Sequence, residues 1–490
     1  MQKQSAQASA GFDYDRLQPE ETIVPPHSRL LPLLISAAFT METLDGTLIA
    51  TPLPLIARDL GVEPVEAKAA LTSYFLAIAA LVPLSNWLSD RFGPRLIFTA
   101  SIAVFAMGSL LSAIAPTLGV LVAARLLQGA GCAMMFPVGR MILLHSVSKK
   151  DLVRALSLVS ILPALALVAG PLLAGYVATF FDWRLLFLIN GPIGIAGIAL
   201  ALVLVPKASP TPATPFDGTG FMLSSAALVA LGAGLGTLGG GTTRLEVSVG
   251  LAVLGALLMS LYLRHARQTE SAILDLSLFR YRTFRIAAGS SFVVRAAVVG
   301  ALPFLLPMML QVGFGLTPFE SGSITFIGAI ATLITRFLIS PMLRLLGFRS
   351  FLAGTALFGA LSMLFLALVT ETTPHAALMA IIFLGTLFRV LQILGLDSVI
   401  FAEVRPAEMG QASCLLSVVK QLAASAGVAY AALVLQAAEL FRSGPTIGGD
   451  FQTAIVFVAV PLFLMVMLSF RLSSEDGAEI AGRAAASTKP

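Results

Sequence analysis

Two carboxylates, Glu42 and Asp45, stand three residues apart in an apolar run near the start of the chain. In a helix that spacing puts both on one face. Eight further ionisable side chains fall inside long apolar stretches: Arg125, Arg140, Arg295, Arg336, Arg389, Asp397, Glu403 and Lys420. A charge at the centre of a bilayer costs at least about 2.5–3.5 kcal/mol on insertion scales, so each of these is a functional candidate by default. Burial raises a carboxyl pKa and a nearby arginine lowers it, and the competition can poise a carboxylate to bind and release protons. Six cations stand against four acids, a positive balance that points to anionic or zwitterionic substrates beside lipophilic cations. Plainer readings compete at some positions. Arg140 lies near a helix end, where snorkelling or gate pairing explains it, and Asp397 and Glu403 fit salt bridges at such an end.

Other chemistries lack their residues. His27, His145, His265 and His375 sit at span ends or in loops and form no metal spacing. Cys132 and Cys414 read as small apolar side chains, and two cysteines make neither a disulfide framework nor a Cys-rich zinc site. Neither a Ser/His pair nor a paired-Asp constellation lies at catalytic spacing, and a phosphate loop for direct ATP drive is missing. The expectation is a protein that is not an enzyme and needs no cofactor. An isoelectric point near 9.4 raises nucleic acid as a partner, but aromatic-flanked basic clusters are absent and no nucleic-acid binding is expected.

The elements that hold these charges follow from composition. The 490 residues are 57% hydrophobic and 12% charged, with a mean hydropathy of +0.92. A soluble chain carries about 25% charged residues, so one soluble core cannot absorb this surplus. About twenty apolar residues cross a bilayer core. By that measure fourteen helices lie near 30–56, 68–88, 96–115, 118–144, 152–178, 185–205, 219–240, 246–264, 286–311, 319–344, 350–370, 375–399, 410–436 and 452–471. Residues 1–28 lack the pattern of a cleavable secretory signal. With the N-terminus inside, twenty basic residues fall in inside segments and five in outside ones. That bias predicts both termini in the cytoplasm. The expected organisation is a polar tail over 1–29, a six-helix bundle over 30–205, a linker and two-helix insert over 206–285, a second six-helix bundle over 286–471, and a tail over 472–490. The glycine-rich insert reads as close helix packing.

The two bundles share an echo. Arg125-Leu-Leu-Gln128-Gly-Ala-Gly131 is matched by Arg389-Val-Leu-Gln392-Ile-Leu-Gly395, and Asp90-Arg91-Phe-Gly93-Pro-Arg95 less closely by Arg344-Leu-Leu-Gly347-Phe-Arg349. Two related halves describe a secondary transporter in which one half rocks against the other around a midplane site. Several motifs carry a family resemblance. Leu44-Asp45-Gly-Thr47-Leu-Ile-Ala-Thr-Pro-Leu53-Pro54, the Asp90 to Arg95 loop, the Arg125 to Gly131 segment, Gly170-Pro171-Leu-Leu-Ala-Gly175, Asp182-Trp183-Arg184 running into Asn190 to Gly194, and Leu276 to Phe284 stand in order along the chain. Together they resemble the fourteen-span drug:proton antiporters of the major facilitator superfamily, which are multidrug efflux transporters.

The resemblance implies an all-α polytopic membrane protein of the major facilitator fold, in the inner (cytoplasmic) membrane, exporting small organic molecules by proton antiport. The alternative is a proton-coupled or facilitative transporter of an anionic metabolite. It further implies Asp45, Glu42 and Arg125 in proton coupling, with a plain salt bridge between helices 1 and 4 as the other reading of Asp45. Gln128, Arg389, Gln392 and Arg295 are expected in the substrate cavity. Asp90, Arg91, Gly93 and Arg95, with Gly170, Pro171 and Gly175, are expected to set conformation and gating. Expected partners are a small-molecule substrate, protons and the lipid bilayer, with room for an accessory periplasmic adaptor, and a monomeric state.

Overall fold

The computed structural model describes residues 30–147, 151–207, 216–237, 242–269, 272–400, 404–405, 408–442 and 448–469. Glu403 and both polar tails lie outside these residues. The described elements are helical: α1 (Leu30–Leu48), α2 (Leu53–Asp59), α3 (Lys68–Leu81), α4 (Leu84–Phe92), α5 (Pro94–Ala113), α6 (Leu118–Ser146), α7 (Leu152–Phe180), α8 (Leu185–Leu188), α9 (Asn190–Leu204), α10 (Gly218–Thr237), α11 (Thr242–Gln268), α12 (Arg282–Arg295), α13 (Leu302–Met308), α14 (Pro318–Ala367), α15 (His375–Ile400), α16 (Met409–Arg442) and α17 (Gly448–Ser469).

Ten helices are long and apolar enough to cross a membrane, or twelve if each of two bent pairs is one span. The fourteen expected passes are reached when α14 counts twice and the shorter α10 once. At 50 residues α14 would run about 75 Å as one rod, more than twice a bilayer core. It breaks at Gly347, where φ is 73° and ψ 162°.

Three of the expected spans are not single regular helices. The first is α1 and α2 bent by 70°, and the second is α3 and α4 bent by 57°. Pro52 and Pro83 stand at the two breaks and withhold the amide hydrogen that would continue the ladder. The span expected over 286–311 begins earlier, at Arg282, and widens into π-helical turns at Ala296–Ala301 and Met309–Gly313. Such turns recur at functional sites.

The face where α1 begins is called the N-face below, and successive passes alternate between it and the far face. One apolar core gathers Ile35, Phe98, Phe105 and Met135 of the first bundle, and a second gathers Phe304, Phe351, Leu391 and Phe451 of the other. Side chains such as Ile195, Val203, Phe337 and Met467 are more than 70% exposed on the outside of the bundles, where a bilayer solvates them. The bundles meet where α7 crosses α14 and where α3 runs against α16. The helices α10 and α11 pair with each other, and α10 lies on α3 and α16.

Candidate functional site

Between the bundles lies a cavity of about 500 Å³, walled by α1, α3 and α7 on one side and by α13 to α16 on the other. Its wall is chiefly apolar, with Leu71, Ile78, Leu302 and Ile382 among its side chains, and carries Glu42, Tyr74 and Arg389 as titratable groups.

Behind the α1 wall stands a closed polar cluster. Arg125 Nη1 donates to Asp45 Oδ2 at 2.5 Å and to Gln128 Oε1 at 2.7 Å, and its Nε donates to the Ala70 carbonyl at 3.1 Å. Gln128 Nε2 closes the ring on Asp45 Oδ1 at 2.7 Å. The guanidinium lies over the Tyr74 ring, 4.3 Å from its centroid. Arg125 is 0% and Asp45 2% exposed, so each charge depends on the other. Neither Asp45, Arg125 nor Gln128 lines the cavity; Gln128 serves the ion pair instead.

Glu42, one helical turn before Asp45, is the carboxyl that reaches the cavity. It shares a hydrogen bond with the Cys132 thiol, which accepts from Tyr74 Oη at 3.1 Å. Its Oε2 is buried without a partner. Sequence reasoning missed Tyr74 and read Cys132 as apolar filler. Cys132 had one signal, its place four residues after Gln128 on the same helix face.

The second bundle repeats the arginine without its acid. Arg389, 4% exposed, donates from Nη1 to Ser362 Oγ at 2.8 Å and reaches Thr386 Oγ1 from Nη2 at 3.5 Å, while its Nε has no partner. Among the described residues no carboxylate pairs with it. A β-carbon at Gly385 would stand 2.6 Å from Nη1, and one at Gly359 3.0 Å from Cγ, so two glycines make room for this side chain. Gln392 is 2% exposed with an unpartnered Oε1 and lies outside the cavity wall. Arg295 is likewise outside it: Nη2 bonds Asp397 Oδ2 at 2.7 Å, and Lys420 Nζ bonds the same oxygen at 3.1 Å. That cluster joins α12, α15 and α16 within one bundle. Arg140 and Arg336 are exposed.

The loop residues set the turn between α4 and α5. Gly93 has φ 85° and ψ 143°, close to the conformation of Gly347 at the equivalent place in the second half. Pro94 opens α5, Arg91 is exposed, and Asp90 and Arg95 are partly buried. At the other end of the molecule α7 and α14 touch backbone to backbone. A β-carbon on Gly175 would meet the Pro318 carbonyl at 2.5 Å, and one on Gly322 would meet the Pro171 carbonyl. Gly170 lies against the Thr47 side chain of α1, and Pro171 and Thr47 both line the cavity. Phe319 N donates to Thr179 Oγ1 at 2.9 Å, and Gln311 Nε2 donates to the Thr51 carbonyl at 2.6 Å. These contacts seal the two bundles together at the far face.

Outside the spans, Asp217 sits before α10. Burial opposes its charge, but bonds from His265, Gly220 N and Ile273 N outweigh that and hold its carboxyl below the ordinary value.

Two helical bundles around one cavity, with charges buried in the walls, form the architecture of a multi-pass membrane transporter. The profile of the Major Facilitator Superfamily matches residues 35–428, and the chain belongs to that superfamily. A putative multidrug resistance protein of Escherichia fergusonii, MdtD, is 33% identical over 451 residues, covering 91% of this chain and 94% of its own length. Among solved structures, a POT family transporter in complex with a thioalcohol-conjugated peptide aligns with TM-score 0.65 at 12% identity, over 93% of this chain and 97% of its own. A bacterial homologue of the human lysosomal transporter Spinster, inward-facing and occupied, aligns with TM-score 0.64 at 14% identity, over 94% and 99%. At these identities the solved structures carry the fold.

Proposed function

We propose that the chain exports small organic molecules across the cytoplasmic membrane by proton antiport with alternating access, with the N-face in the cytoplasm. The observation that carries this reading is the row of groups on α1: Glu42 opens on the central cavity, and one turn on Asp45 is held by Arg125 and Gln128. A proton arriving on Asp45 cancels the charge that holds Arg125, which frees α1 from α6. A proton on Glu42 competes with whatever the cavity binds. The first bundle over 30–205 and the second over 286–471 are the rocking units. The α7 and α14 crossing, through Pro171 and Gly175, is the far-face seal, Gly170 seats α7 on α1 beside it, and Asp90, Arg91, Gly93 and Arg95 shape the N-face turn. The relatives named for multidrug resistance support export of drug-like molecules.

The test is substrate-dependent proton flux in energised inverted vesicles, wild type against Asp45→Asn at matched membrane level. Loss of flux in the variant is expected, and a flux that persists at wild-type rate sinks Asp45 as the coupling group. A second reading, transport of an anionic metabolite, draws on Arg389, a cation in the cavity wall without a carboxylate partner among the described residues.

A further inference from the structure

Arg125 and Arg389 occupy equivalent places in the two halves, and the glycines six residues later repeat the equivalence. A β-carbon on Gly131 would strike Phe105 of α5, and one on Gly395 would strike Phe351 of α14. The halves differ in what answers the arginine. Arg125 has Asp45 and Gln128. Arg389 has two hydroxyls, and Gln392, the counterpart of Gln128, leaves its own Oε1 unpartnered. A guanidinium offers five donors, and a buried charge without a counter-ion is costly. This one is built in, with Gly359 and Gly385 clearing its path, and it stands on the wall of a cavity. Among the described residues no carboxylate answers it, and the cavity is the side from which a counter-ion can reach it.

Glu42 on α1 presents the opposite case in the same cavity, a carboxyl whose Oε2 has no partner. Glu42 and Arg389 do not pair with each other among the described ion pairs. An anion alone at Arg389 is repelled by ionised Glu42, so it favours protonated Glu42 and travels with the proton. A cation alone competes with the proton at Glu42, as antiport requires, but faces Arg389. A molecule carrying both charges answers both groups and still displaces the proton.

We propose that the cavity binds a zwitterionic organic molecule with an apolar body, its cationic group at Glu42 and its anionic group at Arg389. This assignment rests on the proton-antiport reading above. Because α1 belongs to one bundle and α15 to the other, such a substrate bridges the two units that rock against each other.

The experiment is isothermal titration of the purified full chain in detergent with three matched probes. The zwitterion is a biphenyl with an aminomethyl group at one para position and a carboxylate at the other; its methyl ester carries only the cation, and biphenyl carboxylate only the anion. The zwitterion is expected to bind about tenfold or more tighter than either single-charge probe, the scale of one charge-assisted contact. Arg389→Gln should bring the zwitterion down to the affinity of its ester without weakening the ester, and Arg389→Lys should restore most of the preference. Glu42→Gln should bring it down to the affinity of the acid and abolish proton release on binding. Equal affinities of zwitterion and ester for wild type, or an equal loss for all three probes in a folded Arg389→Lys or Arg389→Gln variant, overturn the assignment. Proton release by ester and zwitterion alike, without a preference, removes the zwitterion and leaves antiport standing. A preference without proton release keeps the site and removes antiport.

Discussion

At the residue scale the sharpest contrast is between two arginines in the same local motif. Arg125 and Asp45 are buried together, so removing either partner strands the other charge, which costs about 3–5 kcal/mol for a buried pair. Asp45→Asn and Arg125→Gln should each lower the melting temperature in detergent, and the double variant should recover part of the loss, because two neutral side chains leave no orphan charge. A double variant less stable than either single one, by scanning fluorimetry, would show that the pair is not what locks α1 to α6. The motifs made Asp45 and Arg125 readable as partners, since each carries its own neighbours in sequence. What they could not carry is the absence of an acid near Arg389. Among the described residues that absence is decided by the neighbouring helix α14, which meets the guanidinium with Ser362 and clears room for it with Gly359. Cys132 was hidden for a related reason: its hydrogen bonds reach α1 and α3, not its own helix.

At the scale of elements, prolines and glycines decide where passes end and where they touch. The apolar runs announced the spans, but hydropathy is blind to a helix that continues, bends or widens, so the breaks beside Pro52 and Pro83 and the π-helical turns after Arg295 escaped it. Gly93 and Gly347 share a backbone conformation with φ of 85° and 73°, one that side chains with a β-carbon avoid. Holding a residue there costs about 1–3 kcal/mol. Gly93→Ala and Gly347→Ala should therefore lose similar stability, a prediction from their matched geometry that thermal denaturation of the pair checks. At the α7 and α14 crossing the contact is backbone to backbone, and Gly175→Val puts a branched side chain against the Pro318 carbonyl. The far-face seal should weaken. In a Cys132→Ala and Cys414→Ala background, a cysteine at Thr51 should react faster with a membrane-impermeant thiol reagent once Gly175→Val is added. Unchanged labelling would place the seal elsewhere.

At the scale of the whole molecule, the two added helices pose the question of which half they follow. α10 packs more extensively on α3 than on α16, Ser225 Oγ donates to the Ala80 carbonyl at 2.7 Å, and Gly232 lies against Leu76. Phe216 lies against Trp87 of α4 with ring centroids 4.5 Å apart and planes tilted by 36°. The insert is thus fastened to the first bundle and leans on the second. Its N-face end is pinned by Asp217, which His265 meets at 2.6 Å while Gly220 N and Ile273 N donate to it at 2.8 and 3.3 Å. Because the folded state holds this carboxyl below its ordinary value of 3.8, the ion contributes stability that is complete above 3.8 and is lost as pH falls through the lower folded value. Asp217→Asn should lower the melting temperature at neutral pH by an amount matching about 1–3 kcal/mol, since hydrogen bonds to a charged group are lost. The gap between variant and wild type should hold down to pH 3.8 and close below it. A gap that is constant across that range would mean the asparagine acts through shape rather than charge. A gap that closes as predicted, with proton-driven transport intact, would make the pin a fastening of the insert and leave coupling to α1.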